Sequence, residues 1–302
     1  MSLKLSFMKR EAKKAVDQII HPRWHSYDKG LEEAEKHGGL LESDFLDMDE
    51  SEEVFPLESG RYVLLRHMAC PPQYERHDGK KRVILMVHGH NCNCYYGLKY
   101  ARIYYELGYE TIIYDQRGHG TAELYTCTMG VKEAEDLECI ANRLRDDYGP
   151  DAIIGVHGES MGTATICMAM PKIAETLDFA VCDCGYDEMM TVIRHKAHNR
   201  MLSEIVDNYS EVDGVKFSDI RPVDQVAKTP EDFPVYFIHG EGDNLIPPKA
   251  TQRMYAAKPG VKDATFYPLA GHTRSITMYP VHYRRNVRIF LAEHVEEGPQ
   301  KG

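Results

Sequence analysis

The sequence lacks the long apolar runs that mark membrane and secretory segments. Its apolar stretches, such as residues 83–87, are far shorter than the roughly 18 residues that a membrane-spanning helix needs. The first 20 residues mix lysine and arginine with single apolar residues, so no signal-peptide core is visible. Basic residues are also in deficit, 36 against 47 acidic, which gives a formal net charge of −11. A surface of this sign repels phosphate backbones and anionic lipid, so we expect no nucleic-acid or membrane partner.

The compositional bias of fibrous and disordered proteins is absent as well. Hydrophobic residues make up 43% of the chain and charged residues 27%, both of which are ordinary for a globular protein. Eight cysteines without an export signal indicate reduced thiols. We therefore expect a soluble cytoplasmic protein, and the sequence does not reveal its oligomeric state.

Short β-rich runs alternate with longer amphipathic segments from residue 61 onward. This alternation is typical of a mostly parallel sheet flanked by helices, so we predict an α/β fold. The predicted strands are residues 62–66, 82–87, 111–114, 152–156, 179–182, 235–238 and 265–267. The predicted helices are residues 96–107, 131–148, 161–170, 248–257 and 276–294.

Residues 1–60 precede this alternation. Apolar residues recur there at helical spacing, at Ala12, Val16, Ile19 and Ile20. An acidic stretch at residues 44–53 then leads to a strand. We interpret residues 1–60 as an N-terminal helical extension that packs on the main domain.

The alternation stops between residues 186 and 234, where the sequence is helical at first, over residues 187–206, and then mixed and polar. This segment follows a strand end, and ligands bind at that edge of a parallel sheet. We therefore predict that residues 186–234 form a small helical cap, inserted into a core of residues 61–185 and 235–296.

The sharpest local signal is Gly-Glu-Ser-Met-Gly at residues 158–162, between a predicted strand and a predicted helix. A serine on such a tight turn has a strained backbone, and small residues two before and two after it let the neighbouring chain pass. The turn also places Ser160 at the positive end of the following helix. This context predicts that Ser160 is a nucleophile.

A nucleophilic serine needs a base and an acid, which in this architecture follow in the order acid, then histidine. Asp243 follows the predicted strand at residues 235–238, and His272 follows the one at residues 265–267. We predict that these two residues complete a catalytic triad. Glu241 is the competing acid, because it lies in the same loop.

Acyl transfer also needs two backbone N–H groups that stabilise the developing oxyanion. One is predicted at Met161, directly after the serine, and the other in the loop after the strand at residues 82–87. We assign this second donor to His90, with Asn91 as the alternative. We expect His88 to order the loop through hydrogen bonds.

Together these motifs resemble the α/β-hydrolase superfamily, in its order, over roughly residues 60–295. They are His-Gly-His-Asn at 88–91, Asp-Gln-Arg-Gly-His-Gly at 115–120, the 158–162 motif, Asp243 ahead of Ile-Pro at 246–247, and Gly-His at 271–272. The combination is similar to bacterial cytosolic hydrolases of the carboxylesterase and serine aminopeptidase-like group. The resemblance implies a Ser-Asp-His hydrolase of esters, thioesters or amides that needs no metal or other cofactor.

Two features depart from that resemblance. The oxyanion loop lacks the triple glycine of many lipases and esterases, and residues 1–60 match no pattern of the superfamily. The resemblance does not identify a substrate, because one fold supports many activities.

Several weaker signals concern the substrate. Apolar cap residues together with one loop residue suggest a pocket for a partly apolar group of modest size, with candidates Tyr186, Met189, Met190 and Leu245. Residues 194–196 and Arg200 form a basic cluster, which we interpret as a solvated helix face; attraction of an anionic substrate is the alternative. Cys92 and Cys94 have the wrong spacing for a structural zinc site, and their place after the oxyanion loop suggests that they line the pocket.

The sequence therefore predicts a serine hydrolase that cleaves a small to medium, partly apolar carboxylic ester or thioester through an acyl-enzyme. An aminopeptidase or acyl-peptide hydrolase on the same triad is the alternative, with the acidic stretch at residues 44–53 as a site for an amine. A second alternative, from a different class, is a binding protein that has the fold without the activity.

Overall fold

A mostly parallel sheet of eight strands forms the centre of the molecule. The computed structural model describes residues 2–23, 25–36, 50–58, 60–122, 126–197 and 200–296. The strands are β1 Glu50–Pro56, β2 Tyr62–Met68, β3 Arg82–Val87, β4 Glu110–Tyr114, β5 Ile153–Glu159, β6 Phe179–Asp183, β7 Val235–Gly240 and β8 Lys262–Tyr267. Their order is β1-β2-β4-β3-β5-β6-β7-β8, and only the β1–β2 and β2–β4 pairs are antiparallel. All seven predicted strands are present, and the predicted fold class is confirmed.

Helices cover both faces of this sheet, and others pack outside it. They are α1 Ser2–Ile20, α2 Tyr27–Lys36, α3 Ala101–Tyr105, α4 Val131–Tyr148, α5 Met161–Ile173, α6 Met189–Ala197, α7 Arg200–Asn208, α8 Pro222–Val226, α9 Lys249–Ala257, α10 Ser275–Met278 and α11 Pro280–Leu291. No helix among the described residues is both long enough and apolar enough to cross a membrane.

The central strands are buried on both faces, as parallel strands covered by helices must be. In β3, Val83, Leu85 and Val87 belong to one core, which includes helices α4 and α5. The alternating residues Ile84 and Met86 belong to the opposite core, which includes α3 and α11. The period-2 alternation of side chains along a strand thus divides one continuous apolar run between two cores.

Strand β1 is absent from the predicted elements. Its residues 50–53 are the acidic end of the stretch that we expected to lead into a strand, and they are already part of the strand. Because β1 is an edge strand with most side chains exposed, its sequence carries no apolar alternation. Backbone pairing with β2 holds it in the sheet. Residues 44–49 of the acidic stretch lie outside the described residues.

Three predicted helices differ in detail from the structure. The segment predicted at 96–107 begins as a 3-10 helix, Cys94–Tyr100, before α3. The segment at 276–294 is divided into α10 and α11 at Pro280, because proline has no N–H to continue a helix. The helical character at 187–206 corresponds to two helices, α6 and α7.

The N-terminal helix α1 contributes to a third apolar cluster, outside the sheet. Met8, Ala12 and Val16 of α1 are buried there together with residues of α6, α7 and the start of α5. These residues are spaced by four, so they form one stripe along the helix. The division into extension, core and cap at residues 60, 186 and 234 stays a prediction.

A buried polar network lies beneath the C-terminal ends of β5 and β6. The Lys99 ammonium contacts the Glu159 carboxylate, and both side chains are almost completely buried. The Tyr100 hydroxyl lies 3.1 Å from Glu159 Oε2 and 3.2 Å from Asp183 Oδ2, and the Tyr283 hydroxyl donates to Asp183 Oδ2 at 3.0 Å. Burial opposes the charge on Lys99, but the Glu159 carboxylate outweighs it and raises the pKa of the ammonium. Burial raises the pKa of the Asp183 carboxyl to about 6.

The network matters for the site because Glu159 and Asp183 end the two strands that hold residue 160. Glu159 precedes it in the chain, and the Asp183 carbonyl accepts the backbone N–H of Ser160 at 2.9 Å. Any shift of these two strand ends would therefore move Ser160.

Removing the buried ammonium should destabilise the fold strongly. Lys99→Met leaves the Glu159 carboxylate uncompensated in the interior, and we expect a loss of about 3–5 kcal/mol in the free energy of unfolding, measured with urea. Lys99→Met/Glu159→Gln should recover most of that loss, because no unpaired charge remains.

The matched control is Lys172→Met, which removes an exposed lysine that lies 2.6 Å from Glu138. Exposed ion pairs contribute little to stability, so Lys172→Met should lower the free energy of unfolding by less than about 1 kcal/mol. An equal cost for Lys99→Met and Lys172→Met would contradict the assigned role of the buried pair.

Candidate active site

Ser160 lies on a tight turn between β5 and α5. Its backbone has φ 54° and ψ −117°, a region that non-glycine residues rarely adopt. A Cβ at residue 162 would lie 2.0 Å from the Val87 carbonyl oxygen, and one at residue 158 would lie 2.7 Å from the Gly162 carbonyl carbon. Both positions therefore require glycine, as the sequence motif predicts, and the turn packs directly against the end of β3.

Ser160, His272 and Asp243 form a continuous chain of hydrogen bonds. His272 Nε2 lies 2.8 Å from Ser160 Oγ, and His272 Nδ1 lies 2.7 Å from Asp243 Oδ2. With Nδ1 donating to the carboxylate, Nε2 is free to accept the serine hydroxyl proton. The three loops that follow β5, β7 and β8 meet at one edge of the sheet, where the sequence predicts that these residues lie.

The Asp243 carboxylate is held by backbone as well as by side chains. Its Oδ1 accepts the N–H groups of Leu245 and Ile246 at 2.8 and 2.9 Å. Burial opposes ionisation, but hydrogen bonds with His239 and His272 outweigh it, so the pKa of the carboxyl is below its ordinary value. Asp243 is therefore an anion at neutral pH. The competing acid, Glu241, is exposed.

The loop after β3 passes beside the serine. A Cβ on Gly89 would lie 3.4 Å from Ser160 Cβ, and His90 lines the same cavity as Ser160 and Met161. The backbone N–H of Asn91 donates to His119 Nε2 at 3.2 Å. Since that N–H has a partner within the protein, the geometry favours His90 over Asn91 as the second oxyanion donor beside Met161.

His88 orders this loop through two hydrogen bonds. Its Nδ1 lies 2.8 Å from the Gly89 carbonyl oxygen, and its Nε2 accepts the Gln116 backbone N–H at 3.0 Å. Burial lowers the pKa of the imidazole, which is consistent with a neutral ring that donates at one nitrogen and accepts at the other.

A cavity of about 460 Å³ opens at Ser160. Three of the four residues predicted for the pocket line it, namely Tyr186, Met189 and Leu245. Met190 does not: it lines a separate cavity with Arg194 and Arg200, because it lies one residue further around α6. The remaining walls are mostly aliphatic, from Met129, Val192, Ile193, Leu202, Val206 and Ile246.

One wall of this cavity is absent from the predicted pocket residues. Glu11, Ala12, Ala15 and Ile19 of helix α1 line it, together with residues of α6 and α7. The helical spacing in α1 identifies an apolar face. The spacing does not indicate what that face covers, because residues 1–60 match no pattern of the superfamily that the rest of the chain resembles.

The basic cluster on α6 divides between two places. Lys196 lines the cavity at Ser160, whereas Arg194 and Arg200 line the separate one. The cluster therefore does not act on the cavity as a unit.

The cysteines predicted to border the pocket lie elsewhere. Neither Cys92 nor Cys94 lines the cavity, and the Cys94 thiol contacts Arg66 in the interior at 3.2 Å. Cys184 is the thiol near the triad, within 4.8 Å of the ligating atoms of Asp243 and His272. Burial, followed by the nearby carboxylates, raises its pKa well above the ordinary value, so it stays a thiol.

Comparisons with known proteins indicate the family and the fold of the chain. A family model described as serine aminopeptidase S33 matches residues 78–210. The chain is 30% identical over 256 residues to the uncharacterized protein YqkD of Bacillus subtilis (strain 168), and the match covers 82% of this chain and 81% of YqkD.

Solved structures with similar folds include hydrolases of two kinds. The Pyrococcus furiosus esterase Pf2001 superimposes with a TM-score of 0.66 at 20% identity, covering 92% of this chain and 98% of that chain. A Mycobacterium tuberculosis puromycin-hydrolyzing peptidase gives a TM-score of 0.66 at 16% identity, covering 87% of this chain and 41% of that chain. At these identities the two structures support the fold, not a substrate.

Replacing each candidate acid should separate their roles. Asp243→Asn keeps the shape but removes the charge that holds the His272 tautomer, so we expect kcat on an activated ester to fall by about four orders of magnitude. Glu241→Gln is the matched control in the same loop and should change kcat by less than about twofold, because Glu241 is exposed and outside the hydrogen-bonded chain of Ser160, His272 and Asp243. A large loss for Glu241→Gln with a small one for Asp243→Asn would reverse the assignment.

Proposed function

The chain belongs to the α/β-hydrolase superfamily. We propose that it is a serine hydrolase that cleaves carboxylic esters or thioesters of small to medium, partly apolar substrates. The observation that carries this proposal is the hydrogen-bonded chain from Ser160 through His272 to Asp243, placed at the mouth of an aliphatic cavity.

In the proposed acylation step, Ser160 Oγ attacks the carbonyl carbon of the ester while its proton passes to His272 Nε2, 2.8 Å away. The Asp243 anion stabilises the imidazolium that forms. Backbone N–H groups of Met161 and His90 stabilise the negative charge on the carbonyl oxygen. His272 then gives the proton to the leaving alcohol or thiol, and the acyl group stays on Ser160.

Deacylation repeats these steps with water. His272 takes a proton from a water molecule, whose oxygen attacks the acyl carbon, and then returns a proton to Ser160 Oγ. The products are the carboxylic acid and a regenerated serine, so the cycle needs only side chains, backbone N–H groups and water.

The cavity walls favour an ester over a peptide with a free amino terminus. An amine needs a carboxylate partner, and the acidic residues 50–53 do not provide one at the site, because they lie in the edge strand β1. Glu52 there pairs with Arg66 at 2.8 Å, and Glu53 pairs with Arg143 at 3.1 Å.

One observation supports aminopeptidase activity as a second candidate. Glu11 lines the cavity at Ser160, and its carboxylate, which lies 3.6 Å from Arg10 Nε at Oε1, is the acidic group there that a substrate ammonium would contact. Lys196 lines the same cavity and would oppose that binding through its own positive charge.

A substrate panel tests the proposal. With p-nitrophenyl esters from acetyl upward, we expect kcat/KM to rise by up to about fourfold per methylene until the chain fills the cavity, since each buried CH₂ gains roughly 0.8 kcal/mol. Aminoacyl p-nitroanilides should react far more slowly. Ser160→Ala should abolish both activities.

Two results would contradict the proposal. Faster turnover of aminoacyl anilides than of every ester would establish the peptidase instead. No turnover of either substrate class by folded protein would favour a binding protein.

A further inference from the structure

Helix α1 forms one side of the cavity at Ser160. Ala12, Ala15 and Ile19 line it. Their spacing of three and four residues places them on one face of the helix, which rises about 1.5 Å per residue, so they extend over about 10 Å of the wall. Ala12 is fully buried, and Ala15 is partly exposed to the cavity.

The C-terminal end of α1 is attached to the loops around Ser160. His90 Nε2 lies 2.8 Å from the Ile19 carbonyl oxygen, and the Cys127 N–H donates to the Ile20 carbonyl oxygen at 3.1 Å. Carbonyls in the last turn of a helix have no partner within the helix, so these contacts satisfy them. These two contacts fix the position of the C-terminal end of α1 relative to the loop that carries the proposed oxyanion donor.

The position of His272 shows which part of a substrate faces α1. His272 must protonate the leaving group, and it is not among the residues that line the cavity. Met161 and His90, on the oxyanion side of Ser160, do line it. We therefore place the acyl group of a substrate in the cavity and its leaving group towards His272.

The chemistry of the walls identifies the acyl group. The residues from α6 and α7 are largely aliphatic, including Val192, Ile193 and Val206, and α1 adds Glu11, two alanines and an isoleucine. A concave site of this volume lined by aliphatic side chains suits an extended hydrocarbon chain. The two small side chains of α1 leave the room that such a chain needs, and Ile19 restricts it one turn further along.

We propose that α1 is the selective wall of an acyl-chain pocket, in which Ala12, Ala15 and Ile19 set the length of the aliphatic acyl group accepted. The inference rests on the proposed ester hydrolysis. It assigns a role in substrate specificity to helix α1, which lies in the part of the chain that matches no pattern of the α/β-hydrolase superfamily.

Two variants with opposite effects test the proposal. Ala15→Leu adds bulk to the cavity, so the ratio of kcat/KM for octanoyl to acetyl p-nitrophenyl ester should fall about tenfold. Ile19→Ala removes bulk, so the longest chain accepted should increase. Because the ratio compares two esters on the same variant, a change that affects the reaction of both esters equally does not alter it.

Lys14→Leu is the matched control. It places the same side chain on the same helix, but on the exposed face next to Ala15. The octanoyl to acetyl ratio should not change in this variant. Thermal unfolding followed by circular dichroism verifies that all three variants are folded.

Labelling with ethyl and octyl fluorophosphonates separates failure of this inference from failure of the proposed function. These probes require an activated serine but no ester turnover. If the wild type hydrolyses no ester yet is labelled, the proposed function is wrong, and the octyl to ethyl ratio of labelling rates still tests the wall. Unchanged chain-length ratios in folded Ala15→Leu and Ile19→Ala would overturn the inference.

Discussion

The arrangement of the site depends on the backbone at Ser160. A non-glycine residue with φ 54° is strained, and the surrounding structure has to hold it. Close packing of Gly162 against the Val87 carbonyl and the hydrogen bond from the Ser160 N–H to the Asp183 carbonyl do so. They connect the turn to β3 and β6, the two strands that flank β5 in the sheet. The serine is therefore positioned by the sheet itself, and His272 and Asp243 come to it from loops at the same edge.

The interior beneath that turn is unusually polar. Lys99 pairs with Glu159, two tyrosines contact Asp183, and His157 lies between Tyr104 and Tyr283. Burial lowers the pKa of His157 to about 3, so this imidazole is neutral in the folded protein. Such groups are costly to bury without partners. Asp183 Oδ1 has no hydrogen-bond partner among the described residues, but Oδ2 of the same carboxylate takes part in hydrogen bonds with both tyrosines. The network therefore supports the strained turn through Glu159 and Asp183, the last residues of β5 and β6.

Strong local patterns predicted the elements that matter most. The boundaries of β3 and α4 match residue for residue, because an apolar run and a long amphipathic repeat carry their own signals. The order of Ser160, Asp243 and His272 followed from the strands that precede them. Three features could not be predicted, for physical reasons. Strand β1 is held in the sheet by backbone pairing, which leaves no apolar pattern in its sequence. The sequence around Lys99 does not distinguish this buried lysine from a surface lysine. The helical spacing in α1 predicts an apolar face but not the cavity that this face lines.

The central claim is that Ser160 is an activated nucleophile, and intact mass spectrometry after fluorophosphonate treatment tests it directly. Wild-type protein should gain the mass of one adduct, Ser160→Ala should gain none, and His272→Ala should react much more slowly because it lacks the base. An adduct that persists in Ser160→Ala, or no adduct on folded wild-type protein, would contradict the account.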